Sequence, residues 1–306
     1  MPELPDITVY VERLRAYAVG ATVDRLRLLS PFVLRTVEPP VTAASGRTVK
    51  AVSSIGKRIV IELEGELFIV VHLMIAGRLR WREPGPLAAN KLALAQFELS
   101  TGTVLLTEAS PKKRASIHLI QGREGLAEHD RGGIDVFAAA DAAIAAALRR
   151  DNHTVKRALT DPTVLSGIGN AYSDEILHHA RLSPFKQTQK LSDDEMAMLI
   201  VSMRAVLREW TDRLRAEVGE GFPDKVTAFH DAMAVHGRYG KPCPRCGATV
   251  QRIRYADNEA NYCAKCQNAG KLLADRSLSQ LLKKDWPKTL DDLETLKRDA
   301  RAKAGN

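Results

Sequence analysis

The sequence predicts an α+β protein with a strand-rich N-terminal part, a helical middle and a small metal-binding module close to the C-terminus. Three observations predict it. Runs of β-branched and aliphatic residues separated by turn residues fill positions 22 to 120, helical spacing takes over from Asp135, and all four cysteines fall in two Cys-x2-Cys pairs.

Ahead of the strands, Ile7, Val11, Leu14 and Ala18 recur at helical spacing, with Pro5 and Asp6 near the start and Gly20 just past the end. That pattern predicts a short opening helix. Arg58-Ile-Val-Ile-Glu-Leu and Leu67-Phe-Ile-Val-Val-His-Leu read as strands, and Glu64-Gly65 and Ser100-Thr-Gly102 as hairpin turns. Helices are expected over an Ala-rich run from about Asp135 to Arg150, then Thr154 to Thr160, Ala171 to Ala180, and Ser192 to about Val218. The last opens with Ser192 and Glu195 at capping-box spacing. Gly219 to Lys241 reads as a connection with room for one short helix. The charged tail from Lys271 carries Leu278-Ser-Gln-Leu-Leu and Leu290-Asp-Asp-Leu-Glu-Thr-Leu, and is expected to be helical at first and frayed by its end.

At 306 residues the chain exceeds the common size of one core, so two or three modules are expected. Its net charge of +8 and sequence pI near 9.3 favour a polyanionic partner. No stretch approaches the roughly 20 apolar residues that cross a bilayer. The opening Met1-Pro-Glu-Leu-Pro-Asp has no secretory pattern, so a cytoplasmic protein is expected.

Cys243-x2-Cys246-x16-Cys263-x2-Cys266 has the spacing of a four-thiolate zinc site. Four thiolates leave no open coordination position, so one structural Zn2+ is expected. Between the pairs, Arg252 and Arg254 put a basic shoulder on a β-hairpin, either a phosphate contact or a solvated charged surface. Gly167-Ile-Gly169-Asn170 precedes a helix; it is either a phosphate clamp, using close backbone approach and the helix N-terminus, or an ordinary turn. Lys156, one helix earlier, is either a further phosphate contact or a solvated lysine.

Taken in order, Met1-Pro2-Glu3-Leu4-Pro5, Gly56-Lys57-Arg58, His72-Leu-Met-Ile-Ala-Gly77-Arg-Leu-Arg, Gly167-Ile-Gly-Asn170 and the paired cysteines resemble the formamidopyrimidine-DNA glycosylase and endonuclease VIII family, over residues 1 to about 267. The resemblance implies an N-terminal catalytic β-sandwich with flanking helices (1–131), a helix-two-turn-helix DNA-binding domain (132–236) and a zinc finger (237–268). A charged, partly helical extension (269–306) would follow. It implies a base-excision enzyme acting on damaged, oxidised bases in duplex DNA, cytoplasmic at the nucleoid and working as a monomer, with DNA between its lobes. Once Met1 is removed, Pro2 would be the nucleophile that forms a Schiff base with the sugar, Glu3 the proton-shuttling carboxylate, and Lys57 the lysine that approaches the damaged site. Asn170 and the adjoining Gly169 would hold a phosphate beside the lesion. His72 stays outside the catalytic group, as a core or cleft histidine.

The sequence departs from the family at several points. Asp6 stands where a glutamate is usual, which shortens any proton relay. Asn258 replaces the hairpin arginine that grips phosphates, removing a forked cation that Arg252 or Arg254 would have to replace. Ile75 replaces a methionine that fills the hole left by the extruded base, and Ser110-Pro-Lys-Lys-Arg-Ala-Ser116 lacks the phenylalanine of a later wedge loop. Two other readings compete: a protein that binds damaged DNA without cutting it, and a zinc-ribbon protein of translation or transcription. The second leaves the N-terminal motif unexplained.

Overall fold

The computed structural model describes residues 1–85, 90–224, 226–227, 229–255, 258–274 and 286–304. The chain divides into two compact units. One comprises residues 1–133 and 207–228, the other 134–206 and 229–306.

In the first unit, helix α1 (Leu4–Ala18) packs on a sandwich of two antiparallel four-stranded sheets. One sheet has the order β1 (Val23–Leu28), β6 (Ala93–Leu99), β7 (Gly102–Glu108), β5 (Gly77–Arg82). The other runs β2 (Val49–Ile55), β3 (Arg58–Leu63), β4 (Leu67–His72), β8 (Ser116–Gln121). Ile7, Tyr10 and Leu14 of α1 join Ile59, Ile61, Ile69, Val71, Phe97, Leu106 and Ile117 in one core. The β3 and β4 runs are apolar without alternation because both faces of their sheet are covered. Val60, Phe68, Val70 and Ile120 point away from the core and pack with Leu126 of α2 (Arg123–Ala127), a short helix the sequence pattern did not announce. Beyond α6 (Asp193–Val218), Phe222 packs among Tyr10, Tyr17 and Trp81, with ring centroids 5.9 to 6.5 Å apart. This contact fixes Phe222 against α1.

The second unit contains α3 (Asp141–Arg150), α4 (Val155–Thr160), α5 (Asn170–His179) and the first part of α6. It also holds the hairpin β9 (Gln251–Tyr255) and β10 (Asn258–Tyr262), and α7 (Ala264–Asn268). The expected capping box at α6 is present: Glu195 N–H donates to Ser192 Oγ (3.2 Å), and Ser192 N–H donates to Glu195 Oε2 (2.9 Å). Three expectations need correction. Residues 135–140 form no helix, because Asp135 Oδ1 accepts the Phe137 N–H in a tight turn (2.8 Å) and α3 starts at Asp141. The connection 219–241 holds no helix among its described residues. The tail is not frayed toward its end but forms a 15-residue helix, Leu290–Ala304, opened by Thr289 Oγ1, which accepts the Asp292 N–H (3.2 Å). Leu278-Ser-Gln-Leu-Leu lies outside the described residues.

The start of that tail is tied to the zinc-type module. Lys271 bridges Thr289, Leu272 N–H donates to Lys288 O (2.8 Å), and Leu272, Leu273 and Leu290 pack on Ile253, Tyr262 and Ala264. Packing against the body therefore accounts for the beginning of the extension.

Candidate functional site

The first unit gathers its ionisable groups around the chain start. Glu3 caps α1 and is 2% exposed. Its N–H donates to Asp6 Oδ2 (2.8 Å), while Asp6 Oδ1 is buried without a hydrogen-bond partner among the described residues. Burial pushes the Asp6 carboxyl up to about 7, against the pull of that one N–H. The terminal amine, carried here by Met1 above a buried Pro2, is pushed below its usual 8.0 by burial. Glu3 opposes that shift, and Arg78, Asp6 and Lys57 also act on the amine. Lys57 occupies the two-residue Gly56-Lys57 turn between β2 and β3, where Ile55 pairs Arg58 and Gly56 has φ +58°. Its ammonium is lowered by burial and supported by Glu3. Glu3 and Lys57 thus both lie close enough to act on the terminal amine, and the structure adds Arg78, which the sequence pattern did not single out.

Arg78 also holds the loop after β4. Its Nη1 donates to Gly77 O (2.6 Å) and Ile75 O (3.3 Å), and its Nε donates to Val226 O (2.5 Å). The loop turns on Gly77, whose N–H donates to Leu73 O (2.8 Å); a Cβ there would lie 2.2 Å from that same oxygen. Ile75, at the tip, is 55% exposed. The basic loop at 110–115 is posed by Glu108, 1% exposed, whose carboxylate accepts the N–H groups of Arg114 (3.0 Å) and Ala115 (2.9 Å). Beside Asp6 lies a cavity of about 290 Å3, also lined by Val9, Leu214, Glu217, Phe222 and Asp224. That is near the small end of ligand-site volumes, roughly 300 Å3 and up.

In the second unit, Gly167 has φ +82°, Gly169 caps α5, and Asn170 is its first residue. Lys156 is not the solvated cation the sequence allowed. It is 9% exposed, and its Nζ donates to Asp174 Oδ1 (2.5 Å), Ser173 Oγ (3.0 Å) and Asn170 O (3.2 Å). An ammonium so enclosed positions the start of α5. Asp174 Oδ2 also accepts from Asn261 N–H of β10 (3.1 Å) and pairs with His236 Nδ1 (2.8 Å). Glu175 accepts the N–H groups of Ala234, Val235 and His236 (2.7 to 2.9 Å). Arg252 stacks on Tyr239 (4.3 Å to the ring centroid) with Glu259 at 3.7 Å, and Arg254 is exposed on the same strand. Asn258 opens β10 opposite Tyr255.

The four cysteine sulfurs lie within 4.8 Å of one another, with Cys243–Cys266 at 3.9 Å and Cys246–Cys263 at 3.4 Å. A tetrahedron with metal–sulfur bonds of about 2.3 Å has edges of about 3.8 Å, so the donor set fits one structural zinc. His178 Nε2 stands 3.3 Å from Cys243 Sγ, and Arg245 Nη1 donates to His178 O (2.8 Å). Helix α5 therefore carries both the Gly-Asn start and a contact to the cysteine cluster.

Comparison with known proteins gives three family matches: "Formamidopyrimidine-DNA glycosylase N-terminal domain" over residues 1–115, "Formamidopyrimidine-DNA glycosylase H2TH domain" over 135–215, and "Zinc finger found in FPG and IleRS" over 240–269. The chain is 31% identical over 282 residues to a formamidopyrimidine-DNA glycosylase of a Roseiflexus species, covering 87% of this chain and 100% of that one. It is 44% identical over 140 residues to an uncharacterized formamidopyrimidine-DNA glycosylase-like protein of Mycobacterium tuberculosis, covering 46% and 87%. In fold it is similar to Lactococcus lactis Fpg in complex with abasic-site DNA, with a TM-score of 0.76, 22% identity, and coverage of 87% and 99%.

Two outcomes test this geometry. A carboxyl raised from 3.8 to about 7 keeps its proton in the folded state. Asp6 therefore contributes stability below pH 4 that is lost as pH rises to 7, about 4 kcal/mol in all. In thermal melts, Asp6→Asn should gain on the parent progressively across that window; a constant offset would refute the buried titration. Separately, Asp174→Ala strands Lys156 and should cost about 3–5 kcal/mol in denaturant unfolding, with Lys156→Met restoring part of the loss in the double variant.

Proposed function

The chain belongs to the formamidopyrimidine-DNA glycosylase family, and we propose that it is a bifunctional repair enzyme that excises oxidised bases and then cleaves the abasic site through Pro2. The observation that supports this reading is a terminal amine within electrostatic reach of Glu3, Arg78, Asp6 and Lys57. Removal of Met1 leaves Pro2 with a secondary amine. The surroundings that lower the amine of the chain with Met1 in place, burial first with Glu3 opposing and Arg78 assisting, would favour the neutral, nucleophilic form of Pro2.

The nitrogen lone pair attacks C1′, and the base departs with the glycosidic electron pair and takes up a proton. Loss of the nitrogen proton and opening of the sugar ring give an iminium between Pro2 and C1′. Glu3 carries protons to the ring oxygen and from the amine. Withdrawal of electrons into the iminium acidifies the C2′ proton; its removal expels the 3′ phosphate, and water releases the sugar.

Such attack requires the base out of the stack. The cavity beside Asp6 is suited to receive it, and Ile75 is suited to fill the gap. Gly169 and the Asn170 amide, at the start of α5, would hold a phosphate flanking the lesion, with Lys156 fixing that start from within. Arg252 and Arg254 would supply cationic phosphate contacts on the hairpin where Asn258 offers a neutral amide. No helix among the described residues is long and apolar enough to cross a membrane. The proposed setting is duplex DNA at the nucleoid, bound by a monomer.

The test is reductive trapping: abasic duplex, enzyme and borohydride should give a covalent complex that is absent for an N-terminally extended chain. Glu3→Gln should slow single-turnover excision by about 10²–10⁴-fold. Tight binding with no trapping would leave the non-cleaving damaged-DNA binder. The trapping rate should rise with pH as the amine loses its proton, with a midpoint below the value of the same free amine because burial disfavours the charged form. A midpoint at or above that value would contradict the buried, cation-flanked amine.

A further inference from the structure

The outer face of the β2-β3-β4-β8 sheet carries a second basic cluster with no place in the chemistry above. Arg58 pairs across the ladder with His72, and His72 pairs with Ser116 of β8; His118, two residues further along β8, pairs with Val70. Strand alternation therefore puts Arg58, His72 and His118 on one face. His129, just beyond α2, sets its ring edge-on against His118 (4.8 Å between centroids), and its carbonyl accepts Arg58 Nη1 (3.3 Å). Arg35 lies close enough to act on His118, and Arg131 to act on Arg58.

The charge balance of this cluster is one-sided. Among the described residues Arg35, Arg58 and Arg131 make no ion pair, and the nearby carboxylates are Glu128 beside His129 and Glu38, which lines the same hollow as His129. Burial and the neighbouring cations hold His118 at about 4, so the ring is neutral and has one N–H to offer. Among the described residues its Nδ1 is buried without a hydrogen-bond partner. Three guanidinium groups outnumber the two nearby carboxylates and repel one another, and an oxyanion that accepts from several of them and from a neutral imidazole relieves that repulsion. A carboxylate or a metal would fit less well. The forked guanidinium matches a phosphate or carboxylate, but three arginines around two imidazoles carry more charge than one carboxylate neutralises, and a metal cation would be repelled.

We propose that Arg58, His118 and His129, flanked by Arg35 and Arg131, form a phosphate-binding site on the outer face of this sheet. Arg58 follows Lys57 directly, so the site adjoins the lysine at the proposed reaction centre. A phosphate of the DNA backbone is the occupant we assign, and that assignment rests on the DNA-binding reading above. A free phosphate has the same chemistry, and the test separates the two.

The experiment uses the full zinc-loaded chain, its Arg58→Gln variant and its His118→Gln/His129→Gln variant. Affinity for a duplex carrying an uncleavable abasic analogue is measured across a salt series. Inorganic phosphate is titrated in parallel, following the histidine ring resonances by NMR. Loss of one phosphate contact should lower the salt slope by about 1 and weaken binding by about tenfold at low salt. Arg58→Lys, which keeps a point charge and guards against a folding artefact, should retain most of the slope.

A reduced slope supports the site with DNA as its occupant. An unchanged slope, with His118 and His129 resonances that move on adding phosphate and stop moving in Arg58→Gln, supports the site but assigns it to free phosphate. Unchanged slope with unmoved resonances overturns it. Borohydride trapping of the parent chain reports on the Pro2 reading separately, so a reduced slope without trapping would sink that reading and leave the phosphate site standing.

Discussion

A single buried anion organises the second unit. The Asp174 carboxylate, 1% exposed, cannot carry charge in so dry a place without partners, and it takes them from three separate parts of the chain: Lys156 in α4, His236 in the connection, and Asn261 in β10. Each partner is thereby fixed in direction as well as distance, because the acceptor lone pairs are few. Removing Lys156 would leave the anion exposed to desolvation; removing Asp174 would do the same to the ammonium. The start of α5, the connection at 234–236 and the zinc hairpin therefore share one reference point, which no surface ion pair could supply.

This arrangement explains what could be read from the amino-acid order and what could not. Cysteine spacing determines a metal site because both members of each pair are local, and the Ser192-Glu195 box works within one helical turn. The hairpin turns at Gly65 and Gly102 were legible for the same reason. Lys156 was not. Its role depends on Asp174, brought near by folding, and a lone lysine in a helix gives no sign of whether it faces water or an acid. Arg78 was passed over although it follows Gly77 in a segment singled out for other reasons, because its acceptors are carbonyls and any residue can supply those. The Asp135–Ala140 stretch misled for a local reason: alanines favour helix, but Asp135 captures the N–H two residues on, an alternative that propensity does not weigh.

The departures from the family also acquire physical content. Ile75 presents an exposed apolar side chain at the tip of a loop held by Gly77 and Arg78, so under the proposed function a gap in stacked bases would still be filled, by a differently shaped side chain. The loop at 110–115 has no aromatic wedge, yet it is posed by Glu108 and presents Lys112 and Arg114. Under the proposed function its contribution would shift from stacking toward charge. Because stacking depends on the face of the opposite base and charge does not, reading of the opposite base would weaken at this loop.

Buried carboxylates recur through the chain, and comparing them singles one out. Glu108 has two backbone N–H donors, Glu175 has three, and Asp174 has an amide, an ammonium and an imidazole. Their oxygens are committed to holding loops in place. Asp6 has one N–H donor and, among the described residues, one oxygen with no hydrogen-bond partner, and it stands in a wall of the cavity. An acid held near neutrality by burial can gain or lose a proton at little cost near physiological pH, whereas a carboxylate fully engaged by amides cannot. Shortening the usual glutamate to aspartate therefore need not silence this position. With its contact to the Glu3 N–H fixed, the shorter side chain keeps the proton close to α1 and in the wall of the cavity, where the proposed chemistry would use it.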